Sequence, residues 1–282
     1  MGLHLIGAII GDISGSWYEF RNFKQRPDTL IMERDWFTDD SVLTIAVAHG
    51  MIHGFQQLDR TQLLQNIDAQ LLMKSQLTQS LCQFAQRYPD VGYGRSFIRW
   101  FTDAAAGIEA KPYNSWGNGS AMRVSFAGWA ARSLEEALLL AQLSAEVTHN
   151  HPEGIKGAQA VATALYLLRS GSDKDAVRQY VSRFYNLNFT LDEIRPNYQF
   201  EVSCQKSVPQ AINAFLEADS FEDTIKTALS IGGDSDTIAT IAGSLAEAYY
   251  PVPQGLETRA LAKLTPDLRD ELVFINSYLT RS

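Results

Sequence analysis

Cysteine is scarce in this chain: only Cys82 and Cys204 occur among 282 residues. That excludes a disulfide framework and any cysteine-rich zinc pattern. A basic excess is missing as well. The net charge is −8, which argues against general nucleic-acid binding, because contact with a phosphate backbone calls for a basic surface. No apolar run approaches the roughly 20 residues of a membrane span, so no membrane partner is expected. The stretch Leu3–Ile10 is short, lacks a basic segment before it and runs directly into Gly11-Asp12; it reads as a buried helix start, not a signal peptide. Gly2 is not followed by Ser or Thr where a myristoylation signal needs one. A cytoplasmic protein is the expectation. Internal repeats, low-complexity tracts and flexible linkers are absent too, and residues 1–282 read as one domain.

What is present is helical periodicity. The 45% hydrophobic and 20% charged content is enough for a sizeable core. Ile238, Ile241, Ala242, Leu245 and Tyr249 fall on one face of a helix. Ala137, Leu138, Ala141 and Ala145 mark another, with Ser133 as N-cap and Glu136 at the spacing of a capping box. Pro209–Leu216, Phe221–Ser230 and Pro266–Leu279 read as helices, Gly154–Arg169 as a well-buried one, and Thr61–Met73 with Thr78–Tyr88 as an amphipathic pair. Roughly a dozen helices and no series of alternating strands give an all-α fold. Between them lie irregular segments: Tyr93–Arg95, Lys111–Arg123, His149–Gly154, and Asn186–Val202, the last read as a surface excursion without chemistry.

Two acidic clusters nearly two hundred residues apart carry the most chemical information. One is Phe37-Thr38-Asp39-Asp40-Ser41, the other Gly232-Gly233-Asp234-Ser235-Asp236-Thr237. Each pairs two carboxylates with hydroxyls, and each opens an apolar periodic run. Taken singly, either cluster serves as a helix N-cap whose acids complement the macrodipole. Taken together, four carboxylates and two threonine oxygens would make an all-oxygen site for hard divalent ions if they converge. A cap needs only one side-chain oxygen, and the Gly-Gly pair admits turns closed to other residues. Spacing alone leaves both readings open.

The ordered set of motifs resembles the ADP-ribosylglycohydrolase family, which includes the dinitrogenase-reductase-activating glycohydrolase and the ADP-ribosyl-acceptor hydrolases. The matching stretches are Gly7–Asp12 with Glu19 beyond, Phe37–Ser41, Gly117–Arg123, Thr148–Pro152, Ser207–Pro209 and Gly232–Thr237. The resemblance implies an orthogonal helical bundle of one domain around two Mg²⁺ or Mn²⁺ ions. It implies that Thr38, Asp39 and Asp40 supply one side of the metal site, and Asp234, Asp236 and Thr237 the other, with Asp236 as bridge. Asp39, Glu19 and Asp236 would be the catalytic groups, Glu19 standing near the substrate ribose on a separate loop. Asn118, Gly119, Ser120 and Met122, with His149, would line the ADP-ribose. Phe126 departs from the pattern, standing where a proline commonly follows.

The residues fit that chemistry. Breaking a bond to the anomeric carbon develops positive character there, which carboxylates stabilise, and a metal pair can clamp vicinal hydroxyls and activate water. Asn118-Gly119-Ser120 suits close approach of backbone N–H groups to a pyrophosphate, although a plain turn would use the same residues. His149 and His151 would not share a helix face, so a contact from His149 to substrate is preferred to a two-histidine metal site. Tyr93, Phe97, Trp100 and Trp116 could wall an adenine or simply pack in the core. The expected activity is hydrolysis of arginine-linked ADP-ribose on a protein, or of a small ADP-ribose conjugate, by a monomer. Serine-linked or O-acetyl-ADP-ribose is the second substrate class. An immunity protein against an ADP-ribosylating toxin, and a catalytically silent binder or structural protein, are the alternatives of other classes.

Overall fold

The computed structural model describes residues 3–281, so the Gly2 reading lies outside the described residues. In chain order the helices are α1 (Ile6–Ser16), α2 (Asp39–Gln57), α3 (Ile67–Arg87), α4 (Arg95–Ala105), α5 (Gly119–Met122), α6 (Ser125–Ala130), α7 (Leu134–Glu146) and α8 (Pro152–Arg169). They continue with α9 (Lys174–Val181), α10 (Leu191–Ile194), α11 (Cys204–Glu217), α12 (Phe221–Leu229), α13 (Ser235–Tyr249), α14 (Gln254–Lys263) and α15 (Pro266–Leu279). Among the described residues there is no strand, only an isolated bridge between Gly117 and Ser203. The fold is all-α. None of these helices is long and apolar enough to cross a membrane.

Helix α1 organises the interior. Its residues from Ile6 to Gly15 are buried, and Gly7, Gly11 and Gly15 recur at a spacing of four along the side that meets α13. A Cβ on Gly11 would lie 2.1 Å from the Ala239 carbonyl oxygen, and one on Gly15 would lie 2.4 Å from the Asp236 Cα. Only hydrogen fits there, so the two backbones touch. At the opposite end Glu247 of α13 accepts the Leu5 and Gly7 N–H groups at 2.9 and 2.6 Å. These donors have no partner within the helix, and the carboxylate satisfies them. The start of α13 is thereby fixed against the end of α1.

Several helices differ from the sequence reading for identifiable reasons. The expected pair Thr61–Met73 and Thr78–Tyr88 is one helix, α3, because Ala69, Met73, Leu77, Leu81 and Ala85 continue the buried stripe without a break. Asn66 caps it by accepting the Asp68 and Ala69 N–H groups. Helix α11 begins at Cys204 and carries Pro209 inside it, so the proline does not mark its start. Ser133 caps α7 by accepting the Glu136 N–H at 3.1 Å. The carboxylate of Glu136 does not return the bond; it accepts the Arg132 N–H and the Arg60 Nε instead. A reciprocal capping box is found at Thr190 and Glu193, within the segment read as irregular. Phe126 is fully buried in α6, in contact with Tyr278.

Candidate functional site

The two acidic clusters meet. Asp39, Asp40, Asp234, Asp236 and Thr237 all line one cavity of about 800 Å³. The first cluster opens α2: Thr38 is its N-cap, accepting the Asp40 N–H, and the Asp39 N–H donates to the Val91 carbonyl at 2.9 Å. The second opens α13 after Gly232 and Gly233, whose φ values of 68° and 77° are left-handed. A side chain on Gly233 would also strike the Tyr198 ring, 2.4 Å from where its Cβ would stand. Across the cavity Thr237 Oγ1 donates to Asp40 Oδ2 at 3.2 Å.

A residue absent from the expected set holds the first cluster. Asp12 of α1 is fully buried. Its carboxylate accepts the Thr38 N–H at 2.9 Å, the Thr38 hydroxyl at 2.6 Å, the Ser41 N–H at 3.0 Å and the Ser41 hydroxyl. The Thr38 hydroxyl thus spends its proton on Asp12 and keeps oxygen lone pairs for other partners. Thr38 itself does not line the cavity. The signal in the sequence was a lone aspartate inside the apolar run Gly7–Ile13, since a buried carboxylate requires partners.

Glu19 joins the acids. Its carboxylate and those of Asp234 and Asp236 have oxygens all within 4.8 Å of one another, a set able to hold a metal ion. Burial, then the charges of Asp234 and Asp12, push Glu19 up to about 7. Asp39, Asp40 and Asp236 are raised well above the ordinary carboxylate range, first by burial and then by the charge of Asp12 on Asp39 and Asp40 and of Asp234 on Asp236. The charges acting on Asp40 and Asp236 are all carboxylates. Asp40 Oδ1 is buried with no hydrogen-bond partner. Crowded hard oxygens and an acceptor without a donor fit a divalent cation.

The remaining expected residues divide. Asn118, Gly119, Met122 and His149 line the cavity. Ser120 does not: its hydroxyl is buried and donates to the Gly154 carbonyl at 2.7 Å, supporting the loop from behind. Asn118 is also tied to the acids, its Nδ2 donating to Asp234 Oδ2 at 2.6 Å. His149 is held neutral, its pKa lowered well below the usual value by burial and by the charge of Arg123. Of the four aromatics, Tyr93 and Phe97 line the cavity. Trp100 stacks behind Phe97 in the core, and Trp116 is exposed against His151.

Segment 186–202 is not the excursion without chemistry that its composition suggested. Phe200 and Val202 line the cavity, and the Val202 carbonyl accepts the Asn118 N–H at 2.8 Å. Phe200 meets Phe20, the neighbour of Glu19, with ring centroids 5.5 Å apart. Asn22 bridges the same two loops, donating to Gln199 and accepting the Gly233 N–H. The start of α4 contributes Gly94, Arg95 and Ser96 to the opposite wall. In the sequence this wall shows only as the irregular segment Tyr93–Arg95.

Known proteins share this arrangement of chain. The model of the ADP-ribosylglycohydrolase family matches residues 4–280. ADP-ribosylhydrolase ARH3 of Homo sapiens is 27% identical over 89% of this chain and 85% of its own; that of Bos taurus is 28% identical over 89% and 84%. ADP-ribosylarginine hydrolase Tri1 of Pseudomonas putida strain GB-1 is 29% identical, over 55% of this chain and 45% of its own. A solved structure described as an ADP-ribosylglycohydrolase-related protein complex superposes with a TM-score of 0.67 at 22% identity, covering 98% of this chain and 95% of that one, and so shares the fold. With the family model matched from end to end of the described helices, the chain belongs to the ADP-ribosylglycohydrolase family.

Proposed function

We propose that the cavity binds ADP-ribose joined to an acceptor and hydrolyses the bond at the anomeric carbon, with arginine-linked ADP-ribose as the first substrate. The observation that carries this is the convergence of Asp39, Asp40, Asp234, Asp236 and Glu19 on a cavity whose other wall is the Asn118 loop and His149. A pit of carboxylates attracts a cationic guanidinium at the acceptor end, and one relative is named for ADP-ribosylarginine.

Two Mg²⁺ or Mn²⁺ ions would be held by Thr38, Asp39 and Asp40 on one side and by Asp234, Asp236 and Thr237 on the other, all of them hard oxygen donors. When bound they would supply a clamp on the ribose hydroxyls and a water of lowered pKa. The chain's own groups do the rest. Asp39 stabilises positive character at the anomeric carbon, as carboxylates do in other glycosidases. Glu19 accepts a proton from water or delivers one to the leaving acceptor at its carboxylate oxygen. The start of α4 and the Gly119 backbone offer N–H groups to the pyrophosphate. Tyr93 and Phe97 provide the apolar wall for adenine.

A second reading, a small uncharged acceptor such as a serine hydroxyl or an acetyl group, is favoured by Phe20 and Phe200, which make the rim beside Glu19 apolar. The test is a hydrolysis panel with arginine-, serine- and acetyl-linked ADP-ribose, with Mg²⁺ and with EDTA. Release of free ADP-ribose from the arginine conjugate, abolished by EDTA, is expected. Release from all conjugates undiminished by EDTA would rule out the metal-dependent reading, and release from the serine conjugate alone would replace the first substrate by the second.

A further inference from the structure

Among the described residues Arg123 is the largest fully buried side chain, and no carboxylate forms a hydrogen bond with it, although the charge of Asp39 acts on it. Its guanidinium Nη2 donates to the Ser144 carbonyl at 3.1 Å and to Thr148 Oγ1 at 2.7 Å. Arginine carries donors only, so Thr148 accepts this bond with a lone pair. With one lone pair of the Thr148 hydroxyl taken by Arg123, its proton is directed at His149 Nδ1, 2.8 Å away. An Nδ1 that accepts leaves the hydrogen of a neutral imidazole on Nε2. That nitrogen faces the loop carrying Asn118: a Cβ on Gly119 would stand 3.1 Å from it, and one on Gly117 3.5 Å.

We propose that Arg123 and Thr148 are positioning residues that fix His149 in its Nε2–H tautomer, so that the ring presents a hydrogen-bond donor to an oxygen of the ADP-ribose moiety. The proposal rests on the reading of His149 as a substrate contact. It gives a role to a buried arginine whose Nη2 holds the Ser144 carbonyl and the Thr148 hydroxyl instead of a carboxylate. It also accounts for the choice of a hydroxyl amino acid at position 148, where valine would have the same shape and leave Nδ1 unpartnered.

The experiment is a long-range ¹⁵N–¹H correlation spectrum of the histidine rings in the full chain near neutral pH. The chain has five histidines, and His149 is assigned by the signal lost in His149→Gln. The expected pattern in the wild type and in Thr148→Ser is a neutral Nε2–H imidazole; in Thr148→Val it becomes a mixture or the other tautomer. ADP-ribose affinity, measured by calorimetry, is expected to fall about tenfold in Thr148→Val and to return in Thr148→Ser. An Nδ1–H pattern for His149 in the wild type overturns the relay. An unchanged pattern in a folded Thr148→Val does so too. Unchanged affinity in His149→Gln, with the Nε2–H pattern intact in the wild type, instead overturns the substrate-contact reading beneath it.

Discussion

Thr237 and Asp40 lie 197 positions apart in the chain and are joined by a hydrogen bond of 3.2 Å. This bond closes the cavity between the starts of α2 and α13 and identifies Asp40 as a ligand candidate rather than a solvent-facing cap residue. One oxygen of Asp40 accepts from Thr237 and the other has no partner. Replacing it by asparagine removes a buried charge crowded by other acids. Asp40→Asn should therefore raise the melting temperature in EDTA by several degrees, equivalent to about 1 kcal/mol or more, while abolishing the gain that Mg²⁺ confers on the wild type. A differential scanning experiment with and without Mg²⁺ checks both. A lower melting temperature in EDTA would mean that the Asp40 carboxylate stabilises the apo protein.

Turnover should follow the same ligands. Asp39→Ala and Asp236→Ala should each lose about 10³-fold or more in kcat on the cleavable conjugate, through lost cation geometry and lost charge stabilisation. Glu19→Ala should reduce kcat while retaining part of the Mg²⁺-dependent thermal shift. Single-turnover release of ADP-ribose is the measurement. Full turnover in Asp236→Ala would remove the central premise.

The acid cluster also sets a pH dependence whose sign can be worked out. Asp39, Asp40 and Asp236 have raised values in the folded state, and Glu19 is at about 7. Between the unfolded carboxylate range near 4 and these raised values, the native state binds more protons than the unfolded state. Stability without metal therefore falls as pH rises through this window. Metal binding needs the ionised acids, so it gains with pH. The difference in melting temperature between Mg²⁺ and EDTA should widen from pH ~5.5 to ~8. A difference that narrows over that range would contradict the cause assigned to the raised values.

How much of this could be read from the sequence depended on how local the signal was. Both acidic clusters stood out because capping residues, paired acids and Gly-Gly are adjacent in the chain, and the apolar period that follows is long. Asp12 shows in the sequence only as a lone acid in an apolar run, and its role does not show, because its four bonds come from residues 26 and 29 positions away. Phe20 and Phe200 carry no periodic or motif signal at all. They become part of the site only because two loops far apart in sequence are brought together, with Asn22 bonded to Gln199 and Gly233. Helices α5 and α10 have four residues each, less than the two turns that a 3.6-residue period needs to show itself. Ser120 illustrates the opposite case: its motif is local, but whether a hydroxyl faces the cavity or the helix behind it depends on the Gly154 carbonyl, a tertiary partner.

Asn118 shows how the structure changes an expected variant effect. On sequence alone its loss would weaken ADP-ribose binding and raise KM, as for His149. Its amide, however, donates to Asp234 at 2.6 Å, so Asn118→Ala also frees a carboxylate of the cluster. It should lower kcat as well as raise KM, whereas His149→Ala should act mainly on KM. Steady-state kinetics of the two variants side by side decide this. Equal kcat in both would mean the Asp234 contact has no part in turnover.

Asp12 should matter for stability as well as activity. Asp12→Ala removes the common acceptor of two backbone N–H groups and two hydroxyls at the start of α2. The unsatisfied buried donors should cost about 2–4 kcal/mol in chemical denaturation. Asp12→Asn, with its carbonyl oxygen in the place of Oδ2, keeps three of the four bonds and turns an amide toward the Thr38 hydroxyl, which can accept, so it should cost much less than Asp12→Ala. A loss in Asp12→Asn as large as in Asp12→Ala would show that the charge, not the acceptor geometry, holds the start of α2.

Gly15 tests whether the contact between α1 and α13 positions the chemistry or only packs the core. A methyl group at Gly15 would meet the backbone of Ser235 and Asp236, with distances of 2.4 Å to Asp236 Cα and 2.7 Å to the Ser235 carbonyl oxygen. Backbone cannot yield as a flexible side chain can, so α13 must shift at its first turn, the turn that carries Asp236 and Thr237. At the far end, Gly7 makes an equally close contact, 2.3 Å from the Gly243 carbonyl, but well away from the acids along the same helix pair. Both Gly7→Ala and Gly15→Ala should destabilise by about 1–3 kcal/mol. Only Gly15→Ala should in addition weaken Mg²⁺ binding beyond what the stability loss accounts for, read by calorimetric titration of the folded variants. Equal Mg²⁺ affinity in the two would mean that the acid cluster adjusts independently of α1, and that the closeness of Gly15 to Asp236 serves packing alone.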